Sequence, residues 1–552
     1  MVTSSVEPAE DRSTMSRGAV LSILFFILAT GTLVRLYHIQ HESIWWDEAI
    51  SLTVASSSFR ELPLHFRLNE ATPTRPSGWN AAPNQVYENH PPVYFALLHT
   101  WLKVFGDGVL QARLMSVAAG VLALVVLFKI GNNLYDPPTA LIATLLLAVS
   151  QLGVMYSQEV RHYEVLLLFF LLTVHFYVIA RLARSLFAWC CCTIFAVLMV
   201  GTHYYGSLAV LAVAVHLARD WRRAPLPRAW LIGAALSLCV ALLPWLVFTG
   251  AGQIDAVRLA DPPRWSAVRL TTVISVLNKF NNGAVDGIVA TMPRWTFLMG
   301  AALFTLPVAM TILRWLRMRT PRSAESFGTS LCVIAGALPV LLVLSFGLAH
   351  VKFDIRYVAF CIAPYYLLAA AGIRRMQSRF IRLGVIIAIV TYSGYALRAN
   401  YWIPYHEDFR GAAQYVAARS LDDDCYAFVP FAAPPLGWTI YMPGPPKATV
   451  LAANSDPISL RRCQRTWVIT YERGGDEVPI PEDWRKWLTR MSSSHVRLDT
   501  KQFFWISVQL FQSSAEMRDR RDAAGLLEAA RVQGEDFVVE SGLRAITTAN
   551  AP

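Results

Sequence analysis

Charge is scarce in this chain. Only 16% of its 552 residues are Asp, Glu, Lys or Arg, while 55% are hydrophobic and the mean hydropathy is +0.40. Soluble domains carry roughly a quarter charged residues, so the composition excludes an ordinary soluble protein. There is no Walker loop and no GxGxxG, which removes the usual nucleotide cradles and favours a nucleotide-free donor if the chain is an enzyme. The eight cysteines form no CxxC pair. No HExxH-like pair and no internal repeat is present, which argues against a zincin site and against the repeated halves common in transporters.

What the chain has instead is apolar runs near the ~20 residues that cross a bilayer as a helix, with 17 Trp and 20 Tyr to anchor them at the interfaces. The first run, about 18–38, lacks a small-residue cleavage site after a short core and reads as a retained helix. Further runs fall at about 112–133, 138–155, 161–181, 186–200, 204–219, 229–249, 294–315, 328–350, 355–373 and 380–398, which predicts about eleven spans. Residues 91–106 are apolar but short, and read as a helix lying in or dipping into the outer leaflet.

The net charge of +11 does not mark a nucleic-acid binder, because the arginines lie in short loops between the apolar runs. With the N-terminus inside, four loops carrying Arg181/Arg184, Arg219/Arg222/Arg223/Arg228, Arg314/Arg317/Arg319/Arg322 and Arg374/Arg375/Arg379/Arg382 share one side, as the positive-inside rule requires. The opposite side collects HESIWWDEAI in a long first loop (39–90), YSQEVRHYE (156–164), THYYG (202–206), a loop of about 250–293 and HVKFDIRY (350–357).

The expected organisation is a short N-terminus (1–17), a transmembrane catalytic domain (18–398), a small extracytoplasmic α/β domain (399–513) and a peripheral helix and tail (514–552). The α/β expectation rests on helix patterns in DFRGAAQYVAARSL and PEDWRKWLTRM, and on strand patterns in CYAFVPF, ATVLAAN, TWVITYE and FFWISVQLF. Cys190, Cys191 and Cys192 fall in an apolar run and read as packing residues. Cys425 and Cys463 are the two cysteines of the tail, and an extracytoplasmic location would let them pair.

Asp47-Glu48 follows Trp45-Trp46, an interfacial anchor that would hold the acids at headgroup depth. A carboxylate there suits general-base work on an incoming hydroxyl; a solvated acid pair beside an aromatic belt is the plain alternative. Arg113, Arg161, Lys352 and Arg356 are outer-face cations of the kind that can hold a phosphate group, with interfacial snorkelling as the alternative for each. His90, fixed by Pro91-Pro92, and Tyr357 join them as candidate donor contacts. Glu159, His162 and His203 are candidate substrate or metal contacts, and a divalent ion is a candidate cofactor.

WWDEA, NHPPVYFALLHTWLKVFGDGVLQARL, YSQEVRHY, THYYG and RYVAF, in that order, resemble bacterial GT-C glycosyltransferases, nearest the protein O-mannosyltransferase and aminoarabinose-transferase group. DFRGAAQYV resembles the start of the extracytoplasmic domain of the bacterial relatives. The resemblance implies a polytopic helical bundle and a polyprenyl-phosphate sugar donor. It also implies an acceptor hydroxyl on a protein, glycolipid or cell-wall glycan, and inversion at the anomeric carbon with Asp47 as base. Glu48 carries over as a neighbour of undecided role, and Arg113 matches the place of a functional arginine of the protein mannosyltransferases. The aminoarabinose transferases carry Lys where this chain has His90, a departure that counts against that substrate. The expected site is the outer face of the cytoplasmic membrane. A transporter or flippase of lipid-linked sugars, and an assembly partner with an inert acid pair, are the competing classes.

Overall fold

In lipid every backbone N–H and C=O must find a partner within the chain, so apolar runs fold as helices. The computed structural model describes residues 15–57, 90–221, 226–245, 247, 270–282, 295–318, 323–348, 354–429, 434–442, 450–451, 463–471 and 480–514. They form two compact units, one made of the described residues of Met1–His41, Ile50–Pro76 and Val86–Tyr405, the other of Glu42–Ala49 and the chain from His406 onward.

The first unit is helical. Its helices are α1 (Arg17–Leu36), α2 (Trp46–Ser56, whose first residues group with the second unit), α3 (Val93–Phe105), α4 (Val109–Leu134), α5 (Pro137–Ala148), α6 (Gln151–Ser157), α7 (Tyr163–Ala183), α8 (Leu186–Thr202), α9 (Gly206–Asp220) and α10 (Arg228–Trp245). They continue with α11 (Leu270–Phe280), α12 (Trp295–Arg317), α13 (Ala324–Leu348), a 3-10 turn (Ile355–Cys361) running into α14 (Ile362–Arg374), and α15 (Arg379–Trp402). Side-chain caps start several of them: Ser16 accepts from Ala19 N–H, Asp136 from Thr139 N–H with Pro137 in the first turn, and Ser150 from Gly153 N–H. Each cap satisfies an N–H that the helix leaves unpaired.

Seven helices among the described residues are long and apolar enough to cross a membrane, or eight if the bent pair α5–α6 is one span. The sequence expectation of about eleven exceeds this for a geometric reason: α8 and α9 have 17 and 15 residues, α10 has a shorter apolar stretch, and the run at 138–155 bends by 59° between α5 and α6. Large apolar side chains point outward, among them Leu21, Phe25 and Phe26 of α1 and Phe187 and Ile194 of α8, as a lipid-facing surface demands. Helix α3, with 13 residues, is too short to span. Several loop arginines meet acidic partners, Arg181 with Asp220 (2.5 Å), Arg374 with Asp136 (3.3 Å) and Arg375 with Glu325.

The second unit is an α/β sandwich. Strands β1 (Cys425–Val429), β2 (Val450–Leu451), β3 (Arg465–Tyr471), β4 (His495–Phe503) and β5 (Ile506–Ser513) form one sheet in the order β2-β1-β3-β5-β4. β1 runs parallel to β2 and β3, while β5 runs antiparallel to β3 and β4. Alternation along the strands divides the core between two faces. Tyr426, Phe428, Trp467 and Ile469 pack with Phe409, Ala412 and Val416 of helix α16 (Phe409–Ala417). Ala427, Val429 and Val468 pack instead with Trp484, Trp487 and Met491 of a later helix (Glu482–Ser494). Cys425 and Cys463 form a disulfide. In FFWISVQLF, Phe503 ends β4, Phe504 and Trp505 turn the hairpin, with Trp505 in the left-handed region at φ 59°, and ISVQLF forms most of β5. The tail beyond 514 lies outside the described residues.

Candidate functional site

Arg35 lies within the apolar run of α1, fully buried. Its Nη1 donates to Gly31 O (3.0 Å) and Ala148 O (2.9 Å), its Nη2 to Leu147 O (3.2 Å) and its Nε to Ser157 Oγ (3.0 Å). It therefore satisfies the last carbonyls of α5 at the bend into α6. A buried carbonyl left without a partner costs about 1–3 kcal/mol; Leu147 O also accepts from Ser150 N–H (3.3 Å), so Arg35 matters most at Ala148 O.

The five residues between α6 and α7, Gln158–His162, are braced from several directions. Gln158 Nε2 donates to Arg35 O (2.9 Å) and Tyr37 O (2.8 Å), Asn400 Nδ2 donates to Gln158 Oε1 (3.2 Å), and Ser116 Oγ donates to Glu159 O (2.6 Å). Helix α4 approaches this region through Gly120, where an added Cβ would stand 2.6 Å from Ser157 Oγ and 3.0 Å from Arg35 Nε. Gly120→Ala is expected to destabilise the protein by about 1–3 kcal/mol through overpacking. The check is a lowered unfolding temperature of the detergent-solubilised chain.

The braced turn delivers Arg161 and His162 to one place. The rings of His162, His203 (the residue after α8) and His90 (just before α3) lie 4.5 to 4.9 Å apart by centroids. His162 and His203 are buried, His90 half-buried. Burial pushes both His162 and His203 well below the ordinary imidazole range; His203 acts on His162 in the same direction, and His90, Arg161 and Arg356 act so on both. Arg161 Nη1 donates to Ser51 Oγ (3.0 Å), and its guanidinium stands 6.0 Å from the Tyr163 ring centroid. Arg356 Nη1 donates to the same tyrosine's hydroxyl (3.5 Å), while its Nε donates to Asp354 Oδ2 (2.7 Å). Burial alone would raise the Asp354 carboxyl, but Arg356 holds it below the usual range. Tyr357 stacks on Tyr205 (4.6 Å), which stacks on His203 (5.3 Å).

Among the candidates read from the sequence, His90, Arg161, His162, His203, Arg356 and Tyr357 thus converge in the first unit. Arg113 is buried and its Nη1 donates to Ile39 O (2.8 Å), bracing the chain that leaves α1. Glu159 is buried in the braced turn, but His90, not Glu159, completes the histidine cluster among the described residues. Lys352 lies outside the described residues. Asp47 and Glu48 occupy the first turn of α2, Asp47 half-buried and Glu48 fully buried. The segment leading into that helix is held within the second unit. Trp45 stacks on His406 at 4.4 Å, Ile44 N–H donates to Tyr441 Oη (2.8 Å), and Arg410 donates to Ser43 Oγ (3.0 Å) and Glu42 O (2.6 Å). Sequence reasoning missed Arg35, Ser51, Ser116, Gln158 and Asn400. Only Arg35 left a signal, an ionisable residue inside a membrane-length apolar run.

Residues 89–248 match the family described as Dolichyl-phosphate-mannose-protein mannosyltransferase. No curated protein matches the chain by sequence. The fold is similar to that of ArnT from Cupriavidus metallidurans bound to undecaprenyl phosphate, at 13% identity and a TM-score of 0.57, covering 89% of this chain and 98% of that one. It is also similar to the archaeal oligosaccharyltransferase AglB from Archaeoglobus fulgidus, in complex with an inhibitory peptide and a dolichol-phosphate, at 12% identity and a TM-score of 0.50, covering 82% and 69%. The family match over residues 89–248 and the likeness of fold agree with the resemblance carried by the sequence motifs.

Proposed function

We propose that the chain transfers a sugar from a polyprenyl-phosphate carrier to an acceptor hydroxyl at the outer face of the cytoplasmic membrane, with inversion and with Asp47 as general base. The convergence of Arg161 and Arg356 on Tyr163, beside a histidine cluster whose His162 also packs on that ring, carries the reading. A sugar phosphodiester has one negative charge, and its departing phosphate monoester gains a second. Donors and cations fixed beforehand around that oxygen stabilise the change more than they stabilise the bound donor. That a protein of the same fold binds undecaprenyl phosphate supports the carrier class. The Cys425–Cys463 bridge supports an oxidising, extracytoplasmic setting for the second unit. Arg113, tied to Ile39 O, is assigned to shaping the chain that leads to Asp47, with His90 and Tyr357 lining the donor pocket.

Transfer of radiolabelled sugar from polyprenyl-phosphate donors by membranes carrying the chain tests this. A new glycosidic bond of opposite anomeric configuration is the expected product. Movement of intact donor across the bilayer with no new bond would establish the flippase reading instead.

A further inference from the structure

We infer that His90, His162 and His203 form a three-nitrogen site for a zinc-class divalent cation. One ligand atom from each ring lies within 4.8 Å of the others. Zinc–nitrogen bonds of about 2.0–2.1 Å at tetrahedral angles place neighbouring nitrogens roughly 3.3 Å apart, so modest side-chain rotations close the site. The rings are supplied by three separate segments, and two of them are fixed at helix ends, His203 after α8 and His162 before α7. Both ring nitrogens of His162 and the Nε2 of His203 are buried without a hydrogen-bond partner. Buried polar atoms nearly always have a partner, and a cation would supply one to a single nitrogen of His162 and to the Nε2 of His203. Neutral imidazole is the ligating form. The Nδ1 of His203 accepts from Tyr205 N–H at 3.1 Å. Ligation through Nε2 would move a proton onto Nδ1 and end that bond, a small loss beside a metal–nitrogen bond.

The guanidiniums of Arg161 and Arg356 act on the same rings and oppose a bare cation. The site therefore favours an anionic fourth ligand, of which a phosphate oxygen is the class that this surrounding recognises. This second statement rests on the donor reading above, whereas the three-nitrogen site does not.

The test uses the full chain in detergent, stripped with chelator, loaded with Zn2+ or Co2+, desalted and assayed for metal by mass spectrometry. About one metal per chain is expected, with at least a tenfold loss in His90→Ala, His162→Ala and His203→Ala and none in His175→Ala. Monodisperse wild type that retains no metal, or variants that retain as much as wild type, would overturn the site. If the alanine variants do not fold, His162→Cys replaces the nitrogen with a thiolate and is expected to keep the metal; a folded His162→Cys without metal counts against the site. The visible spectrum of the Co2+-loaded chain reads the fourth position. A change at a lower concentration of undecaprenyl phosphate than of inorganic phosphate assigns it to the lipid headgroup. An equal response to both assigns it to phosphate in general, and no response to either overturns the phosphate ligand while leaving the metal site standing. Metal retention is read without sugar transfer, so failure of the transferase reading would appear separately.

Discussion

Asp47→Asn is expected to lower sugar transfer by about 10²- to 10⁴-fold, the usual contribution of a positioned general base, while the chain stays folded. Asn keeps the size and one acceptor oxygen of Asp but takes no proton from an attacking hydroxyl. Asp47 is half-buried in the first turn of α2, where a negative charge also meets the positive end of the helix dipole. Losing that contact costs about 0.3–1 kcal/mol at an exposed position, far below what unfolding a membrane protein requires. The measurement is kcat for radiolabelled transfer alongside the elution profile of solubilised protein, and a folded variant retaining a tenth or more of wild-type activity would remove Asp47 from the base role. Glu48 provides the contrast. It is fully buried on the same turn, and adjacent helical side chains diverge by about 100°. Glu48→Gln is therefore expected to change the yield of folded protein more than the rate per folded molecule.

The spans were legible because hydropathy reports what one helix offers to lipid, and the described part of each predicted run is helical apart from a few residues at run ends and at the α5–α6 break. The bend between α5 and α6 was not. It depends on Ser150 capping α6 and on Arg35 reaching Leu147 O and Ala148 O from another helix, and the arginine and those carbonyls are 112 and 113 residues apart. Strand β4, HVRLDTKQF, escaped notice because it is an edge strand on which every side chain after His495 is half-buried or exposed, so it lacks a strong apolar alternation. The histidine cluster had no sequence spacing to betray it. His90, His162 and His203 each stand in a different segment, and only the packing of α3, α7 and α8 brings them together. Local pattern could nominate each residue by its motif, but it could not show that His90 rather than Glu159 is the third member.

Arg356→Ala is expected to lower kcat by about 10²- to 10³-fold, as for loss of one preorganised donor to a developing oxyanion, with a smaller change in KM for the donor. The asymmetry follows from charge. The phosphodiester already carries one negative charge when bound, so much of its attraction to Arg161 and the rest of the pocket persists in the variant. The second charge appears only as the bond to the sugar breaks, and that increment is what the missing guanidinium would have met. Arg356→Lys is expected to recover little, because an ammonium cannot hold Asp354 and a phosphate oxygen through one planar fork. Asp354 adds a further term. Its carboxylate is paired with Arg356 Nε at 2.7 Å, and removing the arginine leaves a half-buried negative charge facing the departing phosphate. The double variant Asp354→Asn/Arg356→Ala should therefore be faster than Arg356→Ala alone, although Asp354→Asn in the wild-type background should not accelerate transfer. A purely structural ion pair would give the opposite pattern, with equal losses of folded protein in both single variants and no change in kcat per folded molecule. The double-mutant cycle on kcat, normalised to folded protein, separates the two outcomes.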